Sequence, residues 1–333
     1  MHAVTESITK NRQPAEVLAA MVERAFGADQ VPTGTGWATE LGQGWFNVVY
    51  LIRLRDGRRV VLKIAPPAHV EVLTYERDMM RNELTAMAVV GERSEVPVPA
   101  VYCHDASRQL CDAEYFFMEY VDADNLGAVQ DRLTAEETAA YDEAVGAANR
   151  ALHRVRGTHF GPLAGPIPGR TGWRAVFTGL VEDILRDGER RSVDLGQPYP
   201  LIRELLAAHA ETLDQVTEPV FVEWDLWPAN VMVADGAVVS VIDHERALYA
   251  DPLMEAGFVA IELPRFGAAE GFVRGYGWGP STRDEWRRRR LYNLYLMLVM
   301  VVETVYRGHT DPAQYHWARA GLAEAVASFD ARR

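Results

Sequence analysis

The chain has 333 residues with 48% hydrophobic and 24% charged content, which argues against large-scale disorder and is enough material for two lobes. A formal net charge of -13 argues against a nucleic-acid binder, whose footprint is basic, and leans toward cationic or metal-complexed ligands. The two cysteines, Cys103 and Cys111, form no CxxC pair and no disulfide framework, and the N-terminus lacks a basic segment followed by an apolar one; a reducing cytoplasm is the expected location.

In chain order, Pro14 to Phe26 places apolar residues at helical spacing, with Gly27 as the stop. From Thr39 the pattern becomes strand-like. TELGQGWFNVVYLIRLRDGRRVVLKIAPP reads as two strands, a turn at Asp56-Gly57 and a third strand ending near Pro66. Gly42 and Gly44 fall between the first two strands, where missing Cβ atoms let backbone N–H groups approach phosphate oxygens. Lys63 lies in the otherwise apolar VVLKI, either as a solvated edge residue or as a phosphate-binding lysine, and the second role needs a carboxylate partner. Val70 to Glu92 reads as one helix that carries Glu76 and Glu83 on roughly the same face; Glu83 is the preferred partner and Glu76 the alternative.

VPVPAVY and AEYFFMEYV give two more strands, the second ending at Val121. The lobe boundary is placed there, giving an N-terminal nucleotide-binding lobe of residues 1–121 and a C-terminal catalytic and acceptor-binding lobe of residues 122–333. By position, Glu119 to Val121 would present backbone groups to an adenine edge. Thr134 and Glu137 match a capping box that opens a long helix, and His153 near its end is expected to cap or pack. Further helices are expected from Trp173 to Arg186, from Tyr199 to Val216, and over the apolar run Leu291 to Tyr306, which is interrupted by Asn293 and Glu303 and too short to span a membrane. The basic run Arg287 to Arg290 is expected to be mostly solvated, since consecutive helical residues point in different directions. Glu303 is expected either to pair with Arg307 or to face an acceptor.

The stretch Val220 to Glu245, VFVEWDLWPANVMVADGAVVSVIDHE, holds the chemistry. A short apolar strand delivers Asp225 to a loop, as a candidate base for a hydroxyl proton. Asn230 offers a neutral oxygen suited to Mg²⁺. After a turn at Asp235-Gly236, Asp243 ends an apolar strand, where an acid is costly unless it is paired or binds metal. Trp224 and Trp227 flank Asp225 and either pack into the lobe or face a ring of the acceptor.

These segments resemble the aminoglycoside phosphotransferase family of small-molecule kinases. The resemblance runs from LGQGWFNVVY and VVLKI through VPVP to EWDLWPANVMV and VIDHERALYADPLMEAG. It implies an α+β, two-lobed, protein-kinase-like fold, with a small antiparallel sheet and one main helix in the N-terminal lobe and a mostly helical C-terminal lobe. It also implies transfer of the γ-phosphate of ATP, or of GTP, to a hydroxyl of an antibiotic or metabolite. Under it Lys63 is the phosphate-binding lysine, Glu83 its partner, Asp225 the base, and Asn230 and Asp243 the Mg²⁺ ligands. Asp251-Pro252-Leu253 matches a structural turn. One position departs from the family pattern: two residues before Asp225, where the family commonly has His, stands Glu223. That departure keeps a nucleotide-binding module without efficient transfer as the alternative. No nucleic-acid or membrane partner is expected, and the oligomeric state is not readable.

Overall fold

The computed structural model describes residues 6–42, 44–279 and 281–330. Its elements follow in chain order as α1 (Ala15–Phe26), β1 (Ala38–Glu40), β2 (Val48–Arg53), β3 (Arg59–Ile64), α2 (Met79–Arg93), β4 (Val101–Asp105) and β5 (Tyr115–Glu119). Then come β6 (Asp124–Asn125), α3 (Leu126–Val129), α4 (Ala135–Leu152), β7 (Gly161–Pro162), α5 (Gly172–Arg190) and α6 (Tyr199–His209). The last are β8 (Val220–Val222), β9 (Val231–Ala234), β10 (Ala237–Val241), β11 (Leu248–Ala250), α7 (Glu270–Tyr276), α8 (Arg283–Tyr306) and α9 (Ala313–Ala327). This is the expected α+β, two-lobed, kinase-like fold, and its contacts divide it into two compact units.

The first unit comprises residues up to Val72, Pro99–Asp122 and Tyr306–Thr310. It holds a five-stranded antiparallel sheet of order β1-β2-β3-β5-β4. Val48, Tyr50 and Ile52 alternate inward along β2. They join Leu62 and Ile64 of β3, Tyr115 and Phe117 of β5, and Leu18, Met21 and Val22 of α1 in one core. The period-2 pattern of the strands and the helical stripe of α1 thus bury their apolar faces against each other. Lys63 sits in β3, between Val49 and Phe116, and is only 4% exposed. Residence in a central strand excludes the solvated-edge reading.

The second unit comprises Leu73–Val98, Ala123–Val305 and the residues from Asp311. It is mostly helical, with two small sheets of order β10-β9-β6 and β7-β11-β8. The helix expected over Val70 to Glu92 is shorter than its sequence pattern, because α2 starts only at Met79. Asp78 before it takes the left-handed conformation (φ +60°), and Thr74–Glu76 form a separate 3₁₀ turn. That turn is held from outside the segment: the Thr74 amide and hydroxyl both donate to the buried Asp187 of α5, at 2.6 and 2.8 Å. Glu76 is therefore not on the helix with Glu83, and its carboxylate accepts the Leu73 amide at 2.9 Å.

The capping box forms at Thr134 and Glu137, and His153 caps α4 with its Nδ1 2.9 Å from the Tyr276 hydroxyl. Helices α4 and α7 cross at glycines: a Cβ on Gly146 would lie 2.1 Å from the Phe272 carbonyl oxygen, and one on Gly275 1.9 Å from that of Glu143. The basic run corrects its expectation. Arg288, Arg289 and Arg290 are 7%, 2% and 7% exposed, since the first turns of α8 are covered on several sides by carboxylate-bearing segments. Arg288 donates to Asp251 at 2.7 Å and Arg290 to Glu262 at 3.1 Å, so burial is offset by matched acids. Asp251 also caps the turn at Pro252 and accepts the Tyr292 hydroxyl at 2.7 Å. Among the described residues no helix is long and apolar enough to cross a membrane.

Candidate active site

The chemistry-bearing stretch lies wholly in the second unit. Strand β8 pairs antiparallel with β11, and its three residues are all buried, which anchors the loop carrying Asp225. Strands β9 and β10 form the hairpin around Asp235-Gly236, and β10 delivers Asp243. Both loops contain a non-glycine residue in the left-handed region, Trp224 (φ +61°) and Asp243 (φ +66°). Such backbone strain persists only where the surroundings over-determine it.

Asp243 does not stand alone. Its carboxylate, that of Glu245 and that of Glu83 from α2 have oxygens all within 4.8 Å of one another. Asn82 locks α2 to this loop, since its side-chain nitrogen donates to the carbonyls of Glu245 (3.0 Å) and Ala247 (2.8 Å). Three carboxylates that close repel unless a cation offsets them, and a set of hard oxygens suits Mg²⁺. Glu245 was missed from the sequence, where its only signal is the second acid of DHE. Glu83, expected as a lysine partner, brings its carboxylate to this cluster.

Asp225 has a side chain 17% exposed. Burial raises its proton affinity above the ordinary carboxylate range; Arg246 opposes this, and Asp243 and Glu303 add to it. Arg246 lies 3.8 Å from the Asp225 carboxylate and 3.1 Å from Glu303, and its guanidinium is 5.7 Å from the Trp224 ring centre and 5.9 Å from that of Tyr75. Glu303 thus answers Arg246, a residue sequence reasoning did not single out. Asn230 donates its amide nitrogen to the Asp225 carbonyl at 2.8 Å, which ties the far end of the loop to the candidate base. Trp224 is 5% exposed and stacks on Tyr295 at 5.1 Å, so it packs into the unit; Trp227 stacks on Phe266 at 5.3 Å.

Glu223 and His244 are both fully buried, and His244 Nδ1 lies 2.9 Å from the Glu223 carboxylate. Burial opposes a charge on His244, but Glu223, Glu83 and the Val241 carbonyl together outweigh it and raise the basicity of the ring.

The remaining sequence candidates lie in the first unit. Gly44 is in the loop before β2, where the buried Lys10 donates to the Asn47 carbonyl at 2.7 Å. Gly42 is in the same loop. Glu119 ends β5 with its amide donating to Ala100 at 2.8 Å, and Val121 follows the strand.

A family model described as the phosphotransferase enzyme family matches residues 37–292, which span both units and the candidates from Gly42 to Asp243. The chain belongs to this family. Membership places it among phosphotransferase enzymes.

Several solved structures share the fold. A candidate fructosamine-3-kinase from Thermobifida fusca aligns with a TM-score of 0.65 at 21% identity, covering 93% of this chain and 98% of that one. A thermostable mutant of aminoglycoside phosphotransferase APH(4)-Ia, solved with AMP-PNP and hygromycin B, gives 0.67 at 18% identity over 95% and 99%. Macrolide 2'-phosphotransferase MphH from Brachybacterium faecium gives 0.58 at 18% identity over 92% and 98%. Two subtelomeric hrmA-associated cluster proteins of Aspergillus fumigatus are 30% identical over 103 residues, and that match spans 29% of this chain and 19% of theirs.

Proposed function

We propose that the enzyme transfers the γ-phosphate of ATP to a hydroxyl of a small molecule, with Asp225 accepting the hydroxyl proton. The observation that carries this reading is the placement of Asp225, 17% exposed and 3.8 Å from Arg246, with its charge felt by Asp243, whose carboxylate belongs to the cluster of three. Raised proton affinity favours uptake of the hydroxyl proton.

The donor set fits Mg²⁺: Asp243 would be the main ligand with Glu83 and Glu245 beside it, and Asn230 would contribute its side-chain oxygen while its nitrogen stays on Asp225. When bound, Mg²⁺ with ATP supplies the phosphoryl group and the positive charge that offsets negative charge on its oxygens. The chain's own residues do the rest. Asn230 holds the Asp225 loop, and Arg246 limits how far burial raises the base. Lys63 is proposed for the nucleotide phosphates, with Gly42 and Gly44 supplying amides. Val121 is the better candidate for an adenine-edge donor, because the Glu119 amide is taken by Ala100.

Asp225→Asn tests the assignment. ATP consumption with a panel of hydroxylated metabolites and antibiotics should fall by about 10²–10⁴-fold, while the thermal shift with Mg·ATP persists. Near-wild-type turnover in the variant would sink the role of Asp225. Clear ATP binding by the wild-type protein without turnover of any acceptor would favour the nucleotide-binding module instead.

A further inference from the structure

We propose that Glu223 and His244 are a positioning pair that sets the loop of Asp225 against the loop of Asp243, and thereby governs the magnesium-dependent part of nucleotide binding. The inference rests on the reading of Asp243 as a metal ligand. Glu223 stands two residues before the candidate base and His244 one residue after the metal acid. Their direct contact at 2.9 Å is therefore a buried cross-link between the two functional loops.

Both ends of the cross-link are anchored. The second ring nitrogen of His244 lies 3.0 Å from the Val241 carbonyl, at the end of β10. The Glu223 amide donates to Glu255 at 3.0 Å, and Glu255, itself fully buried, accepts the Asn149 side-chain nitrogen of α4 at 2.8 Å. The link thus runs from a helix of the second unit through Glu223 and His244 to the strand that delivers Asp243.

Two considerations give the pair a geometric role. The residues next to it, Trp224 and Asp243, are the two left-handed non-glycines of the site, and strain of that kind needs rigid neighbours. A buried carboxyl–imidazole pair is also weak support for stability, since well-packed apolar residues of similar volume do as well or better. Its use here is better explained by what it orients: groups behind metal ligands fix ligand orientation, and their loss costs affinity for the metal.

The test measures AMP-PNP affinity by calorimetry in Mg²⁺ and in EDTA, for the wild type, Glu223→Gln, His244→Gln and the swapped double variant Glu223→His with His244→Glu. The magnesium enhancement should fall about tenfold or more in each single variant. AMP-PNP affinity in EDTA should stay at the wild-type value, and the swapped pair should recover part of the loss. Hydrogen exchange of the metal-free protein should quicken at residues 242–246 in the single variants. A single variant that does not fold is replaced by Glu223→Asp, which keeps the charge but shortens its reach, and is read in the same way. Single variants that keep the full enhancement overturn the proposal, as do variants that lose affinity equally with and without Mg²⁺. A wild-type protein with no enhancement overturns the metal reading, and the pair's role with it.

Discussion

Replacing Arg246 with Gln removes the cation that lies 3.8 Å from Asp225 and 3.1 Å from Glu303. At an effective dielectric of about 20, unit charges so placed attract by roughly 4–5 kcal/mol before any allowance for solvent. The three side chains are 13%, 17% and 8% exposed, so screening is modest, and losing one partner of a mostly buried pair costs about 3 kcal/mol. Thermal unfolding should report that loss. The kinetic consequence has a direction of its own. Arg246 lowers the proton affinity of Asp225, so without it the base stays protonated to higher pH and the acid limb of the transfer rate moves upward. Glu303→Gln acts in the opposite sense, because Glu303 raises the affinity of Asp225 for a proton; its acid limb should move downward. Rate profiles of ATP-dependent transfer against pH, run on both variants with one acceptor, would check the pair of shifts. Shifts of the same sign, or none in either variant, would refute the claim that these two groups set the base.

Asp225→Asn should be more resistant to heat than the wild type at neutral pH in metal-free buffer. The folded-state proton affinity of Asp225 is raised, so the stability it contributes is present below its unfolded value and lost as pH rises through the folded one. Equal melting of the two proteins at every pH would contradict that assignment. Asp243→Ala should abolish the thermal shift produced by Mg·ATP, measured by differential scanning fluorimetry with EDTA as control. Tyr292→Phe removes a hydroxyl that donates to Asp251 at 2.7 Å and accepts the Trp173 indole N–H at 2.8 Å. Leaving that indole without its acceptor in the core should cost about 1–3 kcal/mol in denaturant unfolding. Gly146→Ala puts a methyl group 2.1 Å from a backbone oxygen of α7 and should destabilise by more than the ordinary 1–3 kcal/mol of overpacking, with a melting point unchanged by the substitution as the contrary result.

Periodicity and turn chemistry along the chain were enough to read the strands around Asp56-Gly57, the capped start of α4 at Thr134, the hairpin at Asp235-Gly236 and the apolar helix ending at Tyr306, because each depends on neighbours a few residues apart. The order Asp225, Asn230, Asp243 was legible for the same reason, as was the family, whose segments are read directly from residue order. Tertiary contacts decided what lay beyond that range. Thr74 bonds to Asp187, more than a hundred positions away, and with the left-handed Asp78 this cuts short a helix the pattern alone would extend back to Val70. Arg288 and Arg290 look like surface charge until Asp251 and Glu262 are brought to them. The same holds at the site. Glu83 joins Asp243 and Glu245 only through the packing of α2, Arg246 reaches Asp225 only across two loops, and Glu223 changes from a departure in a motif to one half of a buried pair once His244 faces it. Residue order determines local conformation and which acids are available, whereas their proton affinities and partners follow from burial and from charges contributed by distant segments.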